Sequence, residues 1–193
     1  MKKTIYFGVI LVLTMCVSNG LAQDTMKSDS KTETSSKKNS DSKFMMMAAT
    51  SSMNEIGLSN TALSKSSNEE VKKFAQMMVD DHTKASEELK PIAMSKNVML
   101  PTDTDAKHKA AMEKMSAMSG DGFDKEYIKI MVKDHEKAVS MFQKEADSGK
   151  DAEAKAFAAK TLPTLQGHLD MARSMMTKMS GGKMSDDKMK SGM

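Results

Sequence analysis

Apolar residues recur at helical rather than strand spacing through most of this chain, and four long stretches carry the pattern. The first covers 44–65, after two potential caps, Asp41 and Ser42. The second covers 68–96 and opens on Ser67-Asn68-Glu69-Glu70, a capping-box arrangement. Its inward positions Val71, Ala75, Met78, His82, Ala85 and Leu89 advance alternately by four and three residues, which holds them on one helix face. The third covers 121–147, with Ile128, Met131, His135, Ala138 and Phe142 along its apolar seam. The fourth covers 151–178, follows the turn Ser148-Gly149-Lys150, and repeats the spacing with Leu162, Leu165, His168, Ala172 and Met175. Pro91 lacks a backbone donor, so the pattern predicts a bend or interruption in the last turns of the second helix. No stretch alternates with period two for long enough to form a strand.

Connection lengths restrict how these helices assemble. Helices one and two are joined by two or three residues, as are three and four, so each pair should form an antiparallel hairpin. Helices two and three are separated by the long 97–120 segment, which holds Pro101 and a short amphipathic stretch at 104–118. Two hairpins linked by one long crossover with a short helix predict an all-α, ferritin-like antiparallel four-helix bundle. Residues 78–85 and 131–138 also match at six of eight positions, at a constant offset of 53. The echo predicts two related helices that use an Asp-His pair in equivalent ways.

The ends read differently. Residues 1–22 have the form of a Sec signal peptide: Lys2 and Lys3, an apolar run at 5–17, and small residues at Gly20 and Ala22. Export to the periplasm or outer membrane is the expected localisation. Cys16, the single cysteine, lies inside this leader; the preceding Leu13-Thr14-Met15 is a poor lipidation match. Residues 23–43, nearly all Ser, Thr, Lys, Asp and Glu, are expected to be a disordered linker, with the bundle at 44–179 and a Met- and Lys-rich tail at 180–193. The leader holds two of the 29 basic residues and none of the 26 acidic ones, which leaves a net charge of +1 after cleavage. That balance, with few aromatics, argues against nucleic-acid binding. No segment outside the leader is apolar enough to span a membrane.

Candidate chemistry comes from mid-helix polar residues. Glu55, His82 and His135 each fall at the middle of their predicted helix, and His168 lies roughly 5 Å past the middle of its own at 1.5 Å per residue. In a bundle of similar helices such residues share a layer. An ionised Glu and neutral imidazoles suit Zn, Cu, Fe, Mn or Ni. Asp81 and Asp134, one residue before His82 and His135, are candidate extra ligands or partners that hydrogen-bond a histidine on a neighbouring helix. Pro163 could open the helix wall before His168. The competing reading is a hydrogen-bonded layer that sets helix register without any ligand. His108, in the crossover, lies on no seam and is expected at the surface.

Methionine is the unusual residue, with 23 in all. Met45, Met46, Met47, Met78, Met131 and Met141 are expected to fill the core in place of Leu and Ile. Met175, Met176, Met179, Met184, Met189 and Met193 continue into the polar tail, where thioethers could take Cu(I), or could have no role. No phosphate loop, G-x-S-x-G elbow or HExxH motif is present, so no enzyme class stands out.

Several segments together resemble a known exported family. They are Glu55-Ile56-Gly57-Leu58, Val71-Lys72-Lys73-Phe74-Ala75-Gln76-Met77-Met78-Val79-Asp80-Asp81-His82 and Leu100-Pro101. Phe123-Asp124-Lys125-Glu126-Tyr127, Asp134-His135-Glu136-Lys137-Ala138, and the run from Phe157 to Leu165 that leads to His168 complete the set. The chain resembles the bacterial domain-of-unknown-function family numbered 4142 over 44–178. The resemblance implies export and a ferritin-like bundle; it implies no assigned activity. It also suggests a metal, yet the paired Glu-x-x-His of di-iron bundles is missing, since Val79, Val132 and Leu165 stand three before the histidines. The expected function is therefore metal binding by Glu55, His82, His135 and His168, with Asp81 and Asp134 auxiliary, for metal sequestration or envelope stress protection. The alternative is a non-enzymatic envelope protein that binds a partner through its exposed faces or ends.

Overall fold

A computed structural model describes residues 29–181, with side chains from residue 40 onward. The expected leader with Cys16, and the tail beyond Gly181, lie outside the described residues. Five helices follow in order: α1 Asp29–Lys65, α2 Glu69–Ser95, α3 Ala106–Ser116, α4 Gly120–Ser148 and α5 Ala152–Met179. No strand occurs among the described residues, and none of the helices there is long and apolar enough to cross a membrane.

Local sequence accounts for most helix ends. Asn68 caps α2 by accepting from the amides of Glu70 and Val71, and Asp151 caps α5 through Glu153 and Ala154. Asp105 does the same for α3 by accepting from the His108 amide. Asn97, at φ 56°, ends α2 in the left-handed conformation that asparagine tolerates well. Pro91 and Pro163 sit inside α2 and α5, and neither interrupts its helix.

The α1–α2 and α4–α5 hairpins pack into a ferritin-like antiparallel four-helix bundle, with α3 in the long crossover. Cross-helix contacts show the direction of each pair. Glu70 meets Lys178 and Glu88 meets Lys160, so α2 and α5 are antiparallel. Asp41 meets Lys150 and Ser59 meets Tyr127, so α1 and α4 are antiparallel too. Helices α2 and α4 then run the same way across the diagonal, and the crossover must travel the length of the bundle.

The start of α1 departs from expectation. The helix begins at Asp29, upstream of Asp41 and Ser42, so the boundary expected at 43/44 falls within it. Asp41 is not an N-cap. It is buried, and its carboxylate accepts from the amides of Lys150 and Asp151 at the start of α5. A Ser/Thr/Lys-rich sequence without an apolar stripe gives no local sign of such docking.

Two apolar clusters fill the bundle. One gathers Leu58, Phe74, Met78, Phe123, Tyr127 and Met131 with their neighbours. The other gathers Phe44, Met45, Leu89, Phe142, Phe157 and Leu165. Three of the six methionines expected in the core, Met45, Met78 and Met131, are buried there, whereas Met46 and Met47 are exposed. Leu58→Ala is expected to cost about 2–5 kcal/mol and Met47→Ala less than about 0.5 kcal/mol in urea unfolding.

Candidate metal centre

Between the two apolar clusters lies a polar layer. Glu55 of α1, His82 of α2, His135 of α4 and His168 of α5 are all buried in it. The layer persists although α1 is longer than expected, because depth is set by the packed part of α1 and not by its full length. The three imidazoles form a near-equilateral triangle, with ring centroids 5.6, 5.5 and 5.3 Å apart. One ring nitrogen from each lies within 4.8 Å of the others, a spacing that can hold a metal ion.

Hydrogen bonds determine which nitrogens are free. His135 Nδ1 lies 3.0 Å from the Met131 carbonyl, which can only accept, so Nδ1 carries the proton. His168 Nε2 lies 2.9 Å from Asp81 Oδ2; the carboxylate likewise accepts, so Nε2 carries the proton. The remaining nitrogens, His135 Nε2 and His168 Nδ1, face each other at 3.3 Å. In neutral rings both are lone pairs. Burial pushes His135 down, Glu55 opposing and His82 reinforcing. Burial also takes His168 down to about 4 against its bond to Asp81, helped by the neighbouring His82 and His135. The two facing nitrogens are therefore acceptors with no donor between them at neutral pH.

Glu55 stands to one side of the triangle. Its Oε2 is 2.7 Å from His82 Nε2, and its Oε1 is 3.8 Å from His135 Nδ1. The short contact is an ion pair off the line of a hydrogen bond, and both of its atoms are buried without a directed partner. Burial alone would raise the Glu55 carboxyl; the charges of His82 and His135 and the His82 contact outweigh it and hold the group at about 2. His82 responds in the opposite sense. Burial lowers it, but Glu55 and then Asp81 win, and its net shift is upward. The metal-free layer thus holds one charged pair and two neutral imidazoles.

A transition ion fits this donor set. Borderline nitrogen donors converge, and the outer nitrogens of His135 and His168 are anchored to a carbonyl and a carboxylate. Asp81 and Asp134 have separate positions. Asp81 holds His168, while Asp134 turns away from the triangle to His108, with Oδ2 2.8 Å from Nε2. The echoed Asp-His segments therefore do the same thing twice: each Asp binds Nε2 of a histidine on another element.

His108 is the residue that sequence reasoning placed wrongly. Its side chain is only 13 % exposed, because its second nitrogen also meets Asp105 Oδ2 at 2.8 Å. Asp105 in turn accepts from Asn54 Nδ2 at 2.6 Å. This chain of contacts pins the start of α3 across α1 and α4, beside Glu55 and His135. The i, i+3 spacing of Asp105 and His108 was the one local sign. A cleft of about 340 Å³ opens there, lined by Glu55, His108, Asp134, Met46, Met47 and Met141. His108→Ala is expected to cost about 1–3 kcal/mol and to speed hydrogen exchange in α3, while metal binding is retained.

With this geometry in hand, similarity becomes informative. A family described as Domain of unknown function (DUF4142) matches residues 26–175. The chain belongs to the DUF4142 family. Among solved structures, the DUF4142 chain is similar to the crystal structure of a DUF305 fragment from Deinococcus radiodurans, with a TM-score of 0.65 at 13 % identity. That likeness covers 72 % of the DUF4142 chain and 96 % of the DUF305 chain, and it shows a shared fold. No curated protein matches the DUF4142 chain in sequence.

Proposed function

We propose that this chain binds one transition-metal ion through His82, His135 and His168, with Glu55 as the buried counter-charge beside them or as a fourth ligand. Zn, Cu, Fe and Mn all suit imidazole and carboxylate donors. The observation that carries the reading is the pair of facing acceptors, His135 Nε2 and His168 Nδ1 at 3.3 Å, each oriented by an anchored outer nitrogen. A purely structural layer would gain by placing a donor between them. A bound ion supplies positive charge at that point. The two apolar clusters above and below exclude water, and Asp81 keeps His168 in the ligating tautomer.

The role that fits such a site is sequestration of metal or protection against metal stress in the cell envelope, following export by the leader expected at 1–22. Nothing in the layer has the carboxylate pairing of di-iron oxidases, so no redox catalysis is proposed. Elemental analysis of purified protein, before and after reconstitution with Zn, Cu, Mn and Fe, tests the proposal. Wild type should hold about one ion per chain, and the His82→Ala, His135→Ala double variant about none. A wild-type protein that stays metal-free with all four ions would instead favour the register-setting layer and an envelope partner.

A further inference from the structure

Helix α3 covers only part of the seam between α1 and α4. Asp105 meets Asn54 and His108 meets Asp134 at its start, and Lys65 reaches the Ser116 carbonyl at its end. From Asn54 back to Ser40 on α1, and from Asp134 on to Ser148 on α4, the seam instead holds two adjoining clefts. The cleft of about 340 Å³ beside His108 continues into one of about 830 Å³, and Lys43, Met47, Lys137 and Met141 line both. The floor is apolar: Met46 is 38 % and Met47 47 % exposed, with partly buried Met141 across from them and Phe44 beneath. Exposed thioether side chains gathered in one concave seam form flexible apolar surface that adapts to a partner.

The rim is cationic. Lys133, Lys137 and Lys144 fall on one line of α4 that spans about 17 Å at 1.5 Å per residue, Lys150 follows beyond the helix, and Lys43 faces them from α1. Lys137 is paired with Asp134, whereas Lys43, Lys133, Lys144 and Lys150 have no ion pair among the described residues. The acids of the same clefts are engaged or covered. Asp41 accepts from the Lys150 and Asp151 amides, and Glu136 pairs with Arg173. Asp105 and Asp134 bond His108, and Glu55 meets His82. Glu145 is buried beneath Gly149, where a Cβ would lie 2.7 Å from its Oε1. In a chain with 29 basic and 26 acidic residues, this seam therefore concentrates positive charge that nothing nearby offsets.

We infer that this uncovered stretch of the α1–α4 seam docks an acidic amphipathic helix of a partner protein, with its apolar stripe on the methionines and its Asp and Glu residues along the lysines. Three observations select that occupant. The lysines are strung out at helical spacing, farther than one phosphate or carboxylate head group reaches, and a helix lying along α4 repeats its acids at the same spacing. The methionines lie in a groove between two helices, where a helix fits and a flat bilayer surface does not. Helix α3 already occupies the same seam farther along, so a second helix there continues an existing packing. The inference is independent of the imidazole layer.

A displayed library of helical peptides about 14 residues long, enough to span the lysine row, tests this by selection on the full chain. Counter-selection uses the Lys43→Glu, Lys133→Glu, Lys144→Glu variant; all three side chains are exposed, so it should keep the wild-type circular dichroism. Enriched peptides should carry Asp or Glu at i, i+4 and i+7 or i+11 beside an apolar stripe. In fluorescence anisotropy they should bind wild type about tenfold or more tightly than the charge-reversed variant, and more weakly as salt is added. Met47→Gln, which keeps the charges and makes the floor polar, should weaken them about threefold or more. Enrichment of peptides without acidic residues, equal binding by the charge-reversed variant, or no enrichment at all would overturn the site. Binding of phosphatidylglycerol vesicles by wild type, with no peptide enriched, would overturn it in favour of a lipid surface.

Discussion

Replacing Glu55 by alanine is expected to destabilise the metal-free protein by about 3–5 kcal/mol near pH 5.5, because it opens a cavity and leaves the buried His82 either charged without its counter-charge or forced to give up its proton. Glu55→Gln should cost less, since the amide fills the same space and His82 can then lose its proton. The pH dependence follows from the shifts. The Glu55 carboxyl is held at about 2, below its ordinary 4.5. Its contribution is therefore fully present above pH 4.5 and is lost as pH falls toward 2; a shift of this size corresponds to about 3 kcal/mol. His82 is shifted upward from 6.5, so its contribution is present below pH 6.5 and is lost as pH rises through its folded value. His168, lowered to about 4, adds to the acid-side loss: between pH 6.5 and 4 the unfolded chain binds the proton that the native ring refuses. Urea unfolding in chelator across this range should show a steep acid limb in wild type and a shallower one below pH 4.5 in Glu55→Ala. Equal stability of the two proteins near pH 5.5 would remove the ion pair from the account.

Metal affinity should weaken about tenfold for each unit of pH lowered between roughly 6.5 and 5, through one displaced proton. That proton belongs to His82, which alone of the three rings is held charged, by Glu55. His168, lowered to about 4, is already neutral in this window and gives up nothing, and burial shifts His135 downward as well. Below about 4, where His168 takes up a proton, the dependence should steepen. In Glu55→Gln the slope near neutral pH should flatten, since His82 returns toward its ordinary value or below. Competition titrations with a chromophoric chelator at several pH values would read this. A slope of about three per unit near pH 6 would mean that all three rings are charged in the free protein, and the tautomer assignment would fail.

Much of the layer was legible in one dimension. His82, His135 and His168 each sat on an apolar seam, and burial of such a seam follows from helical periodicity alone. Glu55 was found by its depth within the predicted helix. That estimate used a helix start that proved too late, yet the residue shares the layer because the packed part of α1 sets the depth. The role of Asp134 was not legible. A helix wheel shows that it points about 100° away from His135, but only the path of the crossover shows that His108 waits there. His108 itself lay on no seam because its burial comes from two carboxylates rather than from apolar packing.

Periodicity, caps and connection lengths determined the helices, the two hairpins and the all-α bundle, since these depend on interactions among residues near in sequence. The same local signals put three imidazoles and a carboxylate inside. What tertiary structure alone decided is pairing across helices: Asp81 with His168, Asp134 with His108, Asp41 with the start of α5, and the unpartnered Glu145. These contacts join residues tens of positions apart, and their partners are chosen by bundle register and the crossover's path. Side-chain chemistry marks such groups as able to pair; the fold selects which pairs form and which atoms are left facing one another without a proton between them.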